Sequence, residues 1–329
     1  MSTKPQPRPA PSLVSFVFPV FNEEEGLPFL RSSLEHWLTG FACPVEIILI
    51  DDGSRDRSYE MIQEWAAADS CVRGVSFSRN FGHQMAVSAG LAMAKGEAIV
   101  IMDADLQDPL EVVPEMIERY REGYDVVYGQ RAEREGETVF KRITAWLFYR
   151  LMQRFVHNDL PADTGDFRLV SRRCLDAILR MNEQHRFLRG LFAWVGFPQI
   201  AVRYKRNARK YGETKYPFWK MMKLAWNAAL SFSTLPIKLI TLGGFATAAL
   251  ACAYGLYAVI QKYFFQNTVP GWTGLVVILG LIGGMILVSL GVIGEYVGRI
   301  FEEIKRRPIY LVKDTTDPTG IVPADRKKD

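Results

Sequence analysis

The chain has 329 residues, 49% hydrophobic and 23% charged, with 40 Lys and Arg against 36 Asp and Glu for a formal net charge of +4. That length admits one large α/β domain of roughly 200 residues with a smaller companion, and the close interleaving of the two signs excludes a nucleic-acid surface. Cys43, Cys71, Cys174 and Cys252 have neither C-x-x-C nor metal spacing, which excludes a zinc site or a disulfide framework and points to a reducing, cytosolic setting.

Residues 1–12, MSTKPQPRPAPS, are Pro-rich without an apolar h-region and read as a disordered tail rather than a signal peptide. From Leu13 to about Ala132, short β-branched runs alternate with helical patterns, the signature of a wound α/β sheet. The predicted strands are LVSFVFPV from Leu13, VEIILIDD from Val45, VRGVSFSR from Val72, EAIVIMDAD from Glu97 and DVVYGQRA from Asp125. Helices are predicted over Ser54 to Asp69 and, with Pro at its start, over Pro109 to Gly123. Ligands of such sheets bind beyond the carboxyl ends of the strands. The clusters FNEEEG, DDGS, RNFGHQ and DADLQDP all sit at those ends.

After Glu137 come a basic, aromatic helix (TVFKRITAWLFYRLMQRF), a short segment TGDFRLVSRR and a further strand near Gln199. Residues 216–236 read as an interfacial amphipathic helix, with Phe218, Met221, Met222, Ala225, Ala229 and Phe232 on one face and Lys220, Lys223, Asn227 and Ser231 on the other. The apolar face has a second reading, packing on the sheet domain. Leu239 to Ile260 and Gly271 to Gly294 are free of charge, and each is about 33 Å or longer as a helix, enough to cross a bilayer. Two transmembrane helices are therefore expected, at 237–264 and 271–298, followed by a cytosolic tail at 299–329. Lys220, Lys223 and Lys238 before the first, and Arg299, Lys305, Arg306 and Arg307 after the second, place both termini in the cytosol, because the connecting loop holds only Lys262. Glu295 stands four residues before Arg299 and reads as its i, i+4 partner. Gly280, Gly284, Gly294 and Gly298 have a spacing suited to helix packing, and a homo-oligomer is expected.

Asp103 and Asp105 close an apolar strand with alternate residues on one side, so both carboxylates can approach one point. They read either as solvated acids at a strand end or as hard oxygen ligands for Mg²⁺ or Mn²⁺, with a diphosphate completing the shell. Asp52 in DDGS reads either as an acceptor for a base N–H or as a helix cap, Asp51 as a turn residue, and Phe21 as a ring that covers a base. No G-x-G-x-x-G follows the first strand, which disfavours a dinucleotide cofactor.

With PVFNEEEG, IDDGSRD, RNFGHQMAVSAGL, DADLQDPLEVVP, TGDFRL, RKYGETKY and GVIGEYVGRIFEEIKRRP in this order, the chain resembles the polyprenyl-phosphate glycosyltransferases of glycosyltransferase family 2 from about Leu13 to Pro308. That group includes dolichol-phosphate mannose synthase and the bactoprenol glucosyltransferases. The resemblance implies a GT-A type domain over 13–215, binding a nucleotide-diphosphate-sugar and transferring with inversion. It implies base and ribose contacts at Pro19, Phe21, Glu23, Asp52 and Asn80, and metal-diphosphate contacts at Asp103, Ala104 and Asp105. It also puts Asp166 at the acceptor and Arg206, Arg209 and Lys215 at phosphate oxygens. The positive charge of RNARKYGETK agrees with that last placement, or belongs to a solvated loop. The chain lacks the Q-x-x-R-W of processive synthases and has only two expected spans, so a single sugar is expected to move to a polyprenyl phosphate at an inner-membrane surface. Asp52 does not separate uracil from guanine; the glucosyl branch favours UDP-glucose over GDP-mannose. A non-catalytic nucleotide-binding subunit is the competing reading. Asp166 is expected to position acceptor or sugar, through Arg168 or the metal, rather than to act as a base.

Overall fold

A computed structural model describes residues 5–131, 164–181, 183–205, 235–265 and 271–317. In chain order the elements are β1 (Val14–Val20), α1 (Leu27–Leu38), β2 (Val45–Asp51), α2 (Ser58–Ala68), β3 (Val72–Phe77), α3 (His83–Met93) and β4 (Ala98–Ile101). A 3-10 turn, Leu110–Val112, then leads into α4 (Val113–Arg121), β5 (Val126–Arg131), β6 (Thr164–Ser171), α5 (Arg172–Leu179), α6 (Leu188–Trp194) and β7 (Gln199–Tyr204). The last elements are α7 (Leu235–Phe264), α8 (Trp272–Lys305) and β8 (Val312–Thr315). The chain divides into two units, Met1–Lys220 with Pro308–Asp329, and Met221–Arg307.

The first unit is the α/β sheet expected of a GT-A type domain. Its eight strands run in the order β7-β5-β6-β4-β1-β2-β3-β8. β1, β2, β3 and β4 are mutually parallel, whereas β6 lies antiparallel between β4 and β5. β1 is buried along its whole length, as a central parallel strand covered on both faces must be, which is why VSFVFPV is a continuous apolar run. On one face Phe16 and Phe18 meet Leu30 and Leu34 of α1 in the main core, and the Trp37 ring sets its edge against Phe16 at 6.0 Å between centroids. On the other face α3 lies so close that a Cβ on Gly90 would stand 2.3 Å from Val17 Cγ1, so only glycine fits there.

Three expectations are corrected, and one segment without a predicted element is a strand. The short segment TGDFRLVSRR contains a strand, β6, whose Arg168 is paired in register with both Ile101 and Tyr128. The tail expected from residue 299 begins inside a helix that continues to Lys305, and its later part adds β8 antiparallel to β3. Within the expected disordered tail, Arg8 donates from its backbone to Arg121 O at 2.8 Å and from its side chain to Gly123 O at 2.7 Å. The strand before Asp103 ends at Ile101, so the aspartate pair lies in a turn rather than on a pleat.

In the second unit, α7 and α8 are long and apolar enough to cross a membrane, over Ile240–Phe264 and Ile278–Lys305. They meet where a Cβ on Gly243 would lie 3.3 Å from Met285 Sδ, and Thr247 Oγ1 is 3.6 Å from the same sulfur. Gly280, Gly284, Gly294 and Gly298 are elsewhere, with nothing among the described residues within 4 Å of the position a Cβ would take. Glu295 and Arg299 form the expected pair at 3.2 Å. Among the described residues the four cysteines are free. Most of the interfacial helix expected at 216–236, the helix expected after Glu137, and Arg206, Arg209 and Lys215 lie outside the described residues.

Candidate active site

A cleft of about 420 Å³ opens at the carboxyl ends of the first three strands, lined by Phe21, Asn22, Gly53, Ser54, Arg55, Ser78, Arg79 and Asn80. Side-chain bonds between loops build its floor. Asn22, in the left-handed region at φ 52°, receives Arg55 N on its Oδ1 at 2.9 Å and donates its own N–H to Ser54 Oγ at 2.8 Å. Gly53 at φ 69° passes so close to the third loop that a Cβ would stand 2.4 Å from the carbonyl carbon of Arg79. Asp51 accepts from Ser54 N at 3.1 Å and from Ser76 Oγ at 2.7 Å, the turn role expected of it.

Phe21 and Asn80 thus line the cleft, whereas Asp52 does not. Asp52 is 3% exposed, and its carboxylate accepts from Phe81 N at 2.7 Å and Gly82 N at 2.9 Å. It holds the loop that leads into α3, a cap on the loop after β3 rather than on the helix after its own strand. Burial raises its carboxyl above the usual range, and those two amides offset part of the rise. Pro19 is buried within β1 opposite Ile50, and Glu23 is fixed through its backbone N–H to Ser58 Oγ at 2.9 Å. Neither lines the cleft.

The loop held by Asp52 ends at His83, the first residue of α3, which faces the acids. His83 Nε2 is 3.2 Å from Asp166 Oδ2 and 3.7 Å from Asp103 Oδ1. Arg189 of α6 grips Asp166 with two bonds, Nε to Oδ1 at 2.8 Å and Nη2 to Oδ2 at 3.0 Å. Burial disfavours the Asp166 charge, yet the Arg189 guanidinium and the His83 bond prevail and hold the carboxyl well below its ordinary range. Loss of hydration likewise opposes protonation of His83, but the bond to Asp166 and the charge of Asp103 lift it to about 9. Arg168 donates to the backbone, Nη2 to Gly165 O at 3.0 Å and Nε to Asp166 O at 3.3 Å, so the cations on the Asp166 carboxylate are Arg189 and His83 rather than Arg168, one of the two routes expected for it.

Asp103 and Asp105 flank a buried Ala104 in a turn closed by Leu106 N to Asp103 O at 3.4 Å, with Leu106 left-handed at φ 46°. Asp105 Oδ1 accepts from Gln107 N at 3.2 Å. Asp103 is pushed up to about 6, first by burial and then, against the pull of His83, by the negative charge of Asp166, Asp108 and Asp105. Asp108 is buried and bonded by the Tyr204 hydroxyl. Among the described residues no three His, Cys, Asp or Glu side chains are placed to hold a metal ion together. What Asp103 and Asp105 offer is a pair of hard oxygen donors beside further negative charge, which suits a divalent ion that draws its remaining ligands from a diphosphate.

His83 and Arg189 were not singled out from sequence. His83 lies within RNFGHQ, one residue after Gly82, whose φ of 105° is a conformation that glycine favours. Arg189 carries no local signal, because its partner is 23 positions away.

The model for "Glycosyl transferase family 2" matches residues 15–179. A Bacillus subtilis (strain 168) protein described as an uncharacterized glycosyltransferase, YkcC, is 46% identical over 91% of this chain and 93% of its own. An Escherichia coli (strain K12) prophage bactoprenol glucosyl transferase homolog is 39% identical over 91% of this chain and 98% of its own. Among solved structures, Mycobacterium tuberculosis glucosyl-3-phosphoglycerate synthase with Mn²⁺, UDP-glucose and phosphoglyceric acid matches at a TM-score of 0.43 and 21% identity, over 67% of this chain and 78% of that one. From the matched model and these relatives, the chain belongs to glycosyl transferase family 2.

Proposed function

We propose that the protein transfers one hexose, glucose from UDP-glucose, with inversion onto a polyprenyl phosphate at the cytosolic face of the inner membrane. The observation that carries this reading is the loop 80–83, which joins the cleft to the acids: Asn80 lines the cleft and His83 faces Asp103 and Asp166. The base lies in the cleft against Phe21, and its diphosphate extends toward Asp103 and Asp105. Mg²⁺ or Mn²⁺ held by those two carboxylates would offset charge on the departing diphosphate. An oxygen of the lipid phosphate forms the bond to the anomeric carbon from the opposite side, and the bond from that carbon to the donor's β-phosphate oxygen breaks.

The acceptor phosphate, with a second pKa of about 6, is already mostly dianionic near neutrality and needs no base. Asp166, held ionised by Arg189 and His83, instead fixes those two cations beside the reacting groups, and Arg206, Arg209 and Lys215 meet the phosphate oxygens. The two apolar helices keep this chemistry at the bilayer, where the prenyl chain of the acceptor resides. Relatives described as bactoprenol glucosyl transferases over nearly their whole length support both acceptor and sugar.

The test is a panel of UDP- and GDP-sugars with Mn²⁺ on the full chain in detergent, read by thermal shift and by labelled sugar in a polyprenyl-phosphate extract. A donor at 100 times its Kd stabilises by about 2.7 kcal/mol. UDP-glucose is expected to shift the melt and label the lipid. A lipid labelled only from another donor overturns the sugar assignment, and no labelled lipid from any donor overturns the reaction.

A further inference from the structure

Five residues after α8 ends at Lys305, the chain rejoins the sheet and runs along β3 from Leu311 to Asp317. This strap is pinned at its far end, where Gly74 N donates to Thr316 Oγ1 at 2.7 Å and Arg73 pairs with Asp317 at 3.3 Å. The near end lies beside the cleft. Ser78 N donates to Leu311 O at 2.9 Å, and the Tyr310 ring, 3% exposed, stacks on Phe77 with centroids 4.8 Å apart and planes 13° from parallel. Phe77 in turn takes the edge of Phe81 at 5.7 Å, and the Arg79 guanidinium covers Phe81 at 4.0 Å from its centroid. Ser78 and Arg79 are cleft walls, while Phe81 N is one of the amides that Asp52 anchors.

We infer that Tyr310 is a positioning residue for the donor site, acting through Phe77 and Phe81 to hold the 78–82 loop in its binding shape. Covering the edge of β3 does not require it: the pairing from Val75 to Phe77 and the Gly74 and Arg73 contacts already do that. Tyr310 itself lies outside that pairing, and its stack on Phe77 passes through the Phe77–Phe81 contact to the loop whose Ser78, Arg79 and Asn80 form one wall of the cleft. The inference rests on the reading of that cleft as the nucleotide site, and its test separates the two.

The variants are Tyr310→Leu, which keeps apolar bulk but loses the flat stack, Tyr310→Phe, which keeps the stack, and Thr316→Val, which weakens only the far end. Each is made in the full chain in detergent. Amide exchange of Phe81 and Gly82 reports the loop without any ligand; UDP and GDP titrations with Mn²⁺, and the split of kcat from donor KM, report the site. In Tyr310→Leu, exchange at both amides is expected to quicken, UDP to bind roughly 3- to 10-fold more weakly and donor KM to rise in proportion, while kcat and acceptor KM hold. Tyr310→Phe should keep the wild-type exchange and UDP affinity, and Thr316→Val should lower Tm without moving UDP affinity. Unchanged exchange and affinity in Tyr310→Leu, or an equal loss in Thr316→Val, overturns the inference. Failure of wild type to bind either nucleotide sinks the donor reading instead, and quickened exchange in Tyr310→Leu would still assign the loop to Tyr310.

Discussion

Arg189 and Asp166, 23 positions apart, meet through two parallel hydrogen bonds of 2.8 and 3.0 Å, the fork of the guanidinium matched to both carboxylate oxygens. With His83 on Oδ2 as well, Asp166 is the acid of the cluster whose charge is most fully balanced, while Asp103 one strand away keeps surplus negative charge around it. The two sides of the site are thereby differentiated: an ionised carboxylate whose charge Arg189 and His83 balance, and a half-buried pair of acids beside further negative charge.

Replacing Arg189 by Lys tests that fork. Lys delivers one charge without the planar pair of donors, so Asp166 and His83 lose their fixed orientation. Charge-assisted bonds are worth about 1.5–3 kcal/mol, and a fall in turnover of about 10- to 100-fold is expected with a preserved fold. Steady-state transfer by Arg189→Lys near the wild-type rate, with an unchanged melt, would remove the fork from the mechanism.

Asp105→Ala is expected to abolish transfer and leave Tm within a few degrees of wild type, because the side chain sits in a half-open turn rather than the core. Chelation of divalent ions should do the same to wild type and be reversed by added Mn²⁺ or Mg²⁺. Substantial turnover by folded Asp105→Ala in saturating Mn²⁺ would contradict the metal assignment.

Asp125 sets an acid limit on stability far from the cleft. Burial opposes its charge, but bonds from Arg173 and Ser171 and the charge of Arg8 outweigh that and lower its pKa. A folded pKa below the unfolded value of about 3.9 contributes stability that is full above that value and is lost as pH falls through the folded one. Asp125→Asn should therefore melt lower at pH 7 yet lose less between pH 5 and 3 than wild type. Parallel melting curves for the two proteins across that window would show that the ionisation is not linked to folding.

The sheet was legible where the physics is local. Continuous apolar runs mark β1, β2 and β4 because both their faces are covered, and the polar clusters at their ends mark the site. β6 carries no clear strand pattern because Gly165, Asp166 and Arg168 interrupt its apolar run. β8, VKDT, has no strand signal of its own; it exists because the open edge of β3 receives it. Asp52 could be narrowed only to base acceptor or cap, since the amides that occupy it belong to a loop 29 and 30 positions away. The pleat expected to carry Asp103 and Asp105 is a turn instead, for a left-handed Leu106 leaves no trace in composition.

The role of Asp166 can be decided by pH. A general base must be able to take up a proton within the working range, and its efficiency peaks when its pKa lies near the operating pH. Asp166 is held well below the ordinary carboxylate value, by Arg189 and the His83 bond prevailing over burial, so from pH 5.5 to 8.5 it stays charged and does not titrate. The lipid phosphate does titrate there, with its second pKa of about 6. Any rising limb of turnover over that range is then the acceptor becoming a dianion. Asp166→Asn keeps the shape of the side chain but withdraws the charge that holds Arg189 and His83. Turnover at saturating donor should fall while the midpoint and slope of the rising limb persist. Measured from pH 5.5 to 8.5, a limb present in wild type and absent from Asp166→Asn, with a loss near the top of the roughly 10²- to 10⁴-fold range typical of acid–base catalysis, would restore the general base and defeat the positioning role.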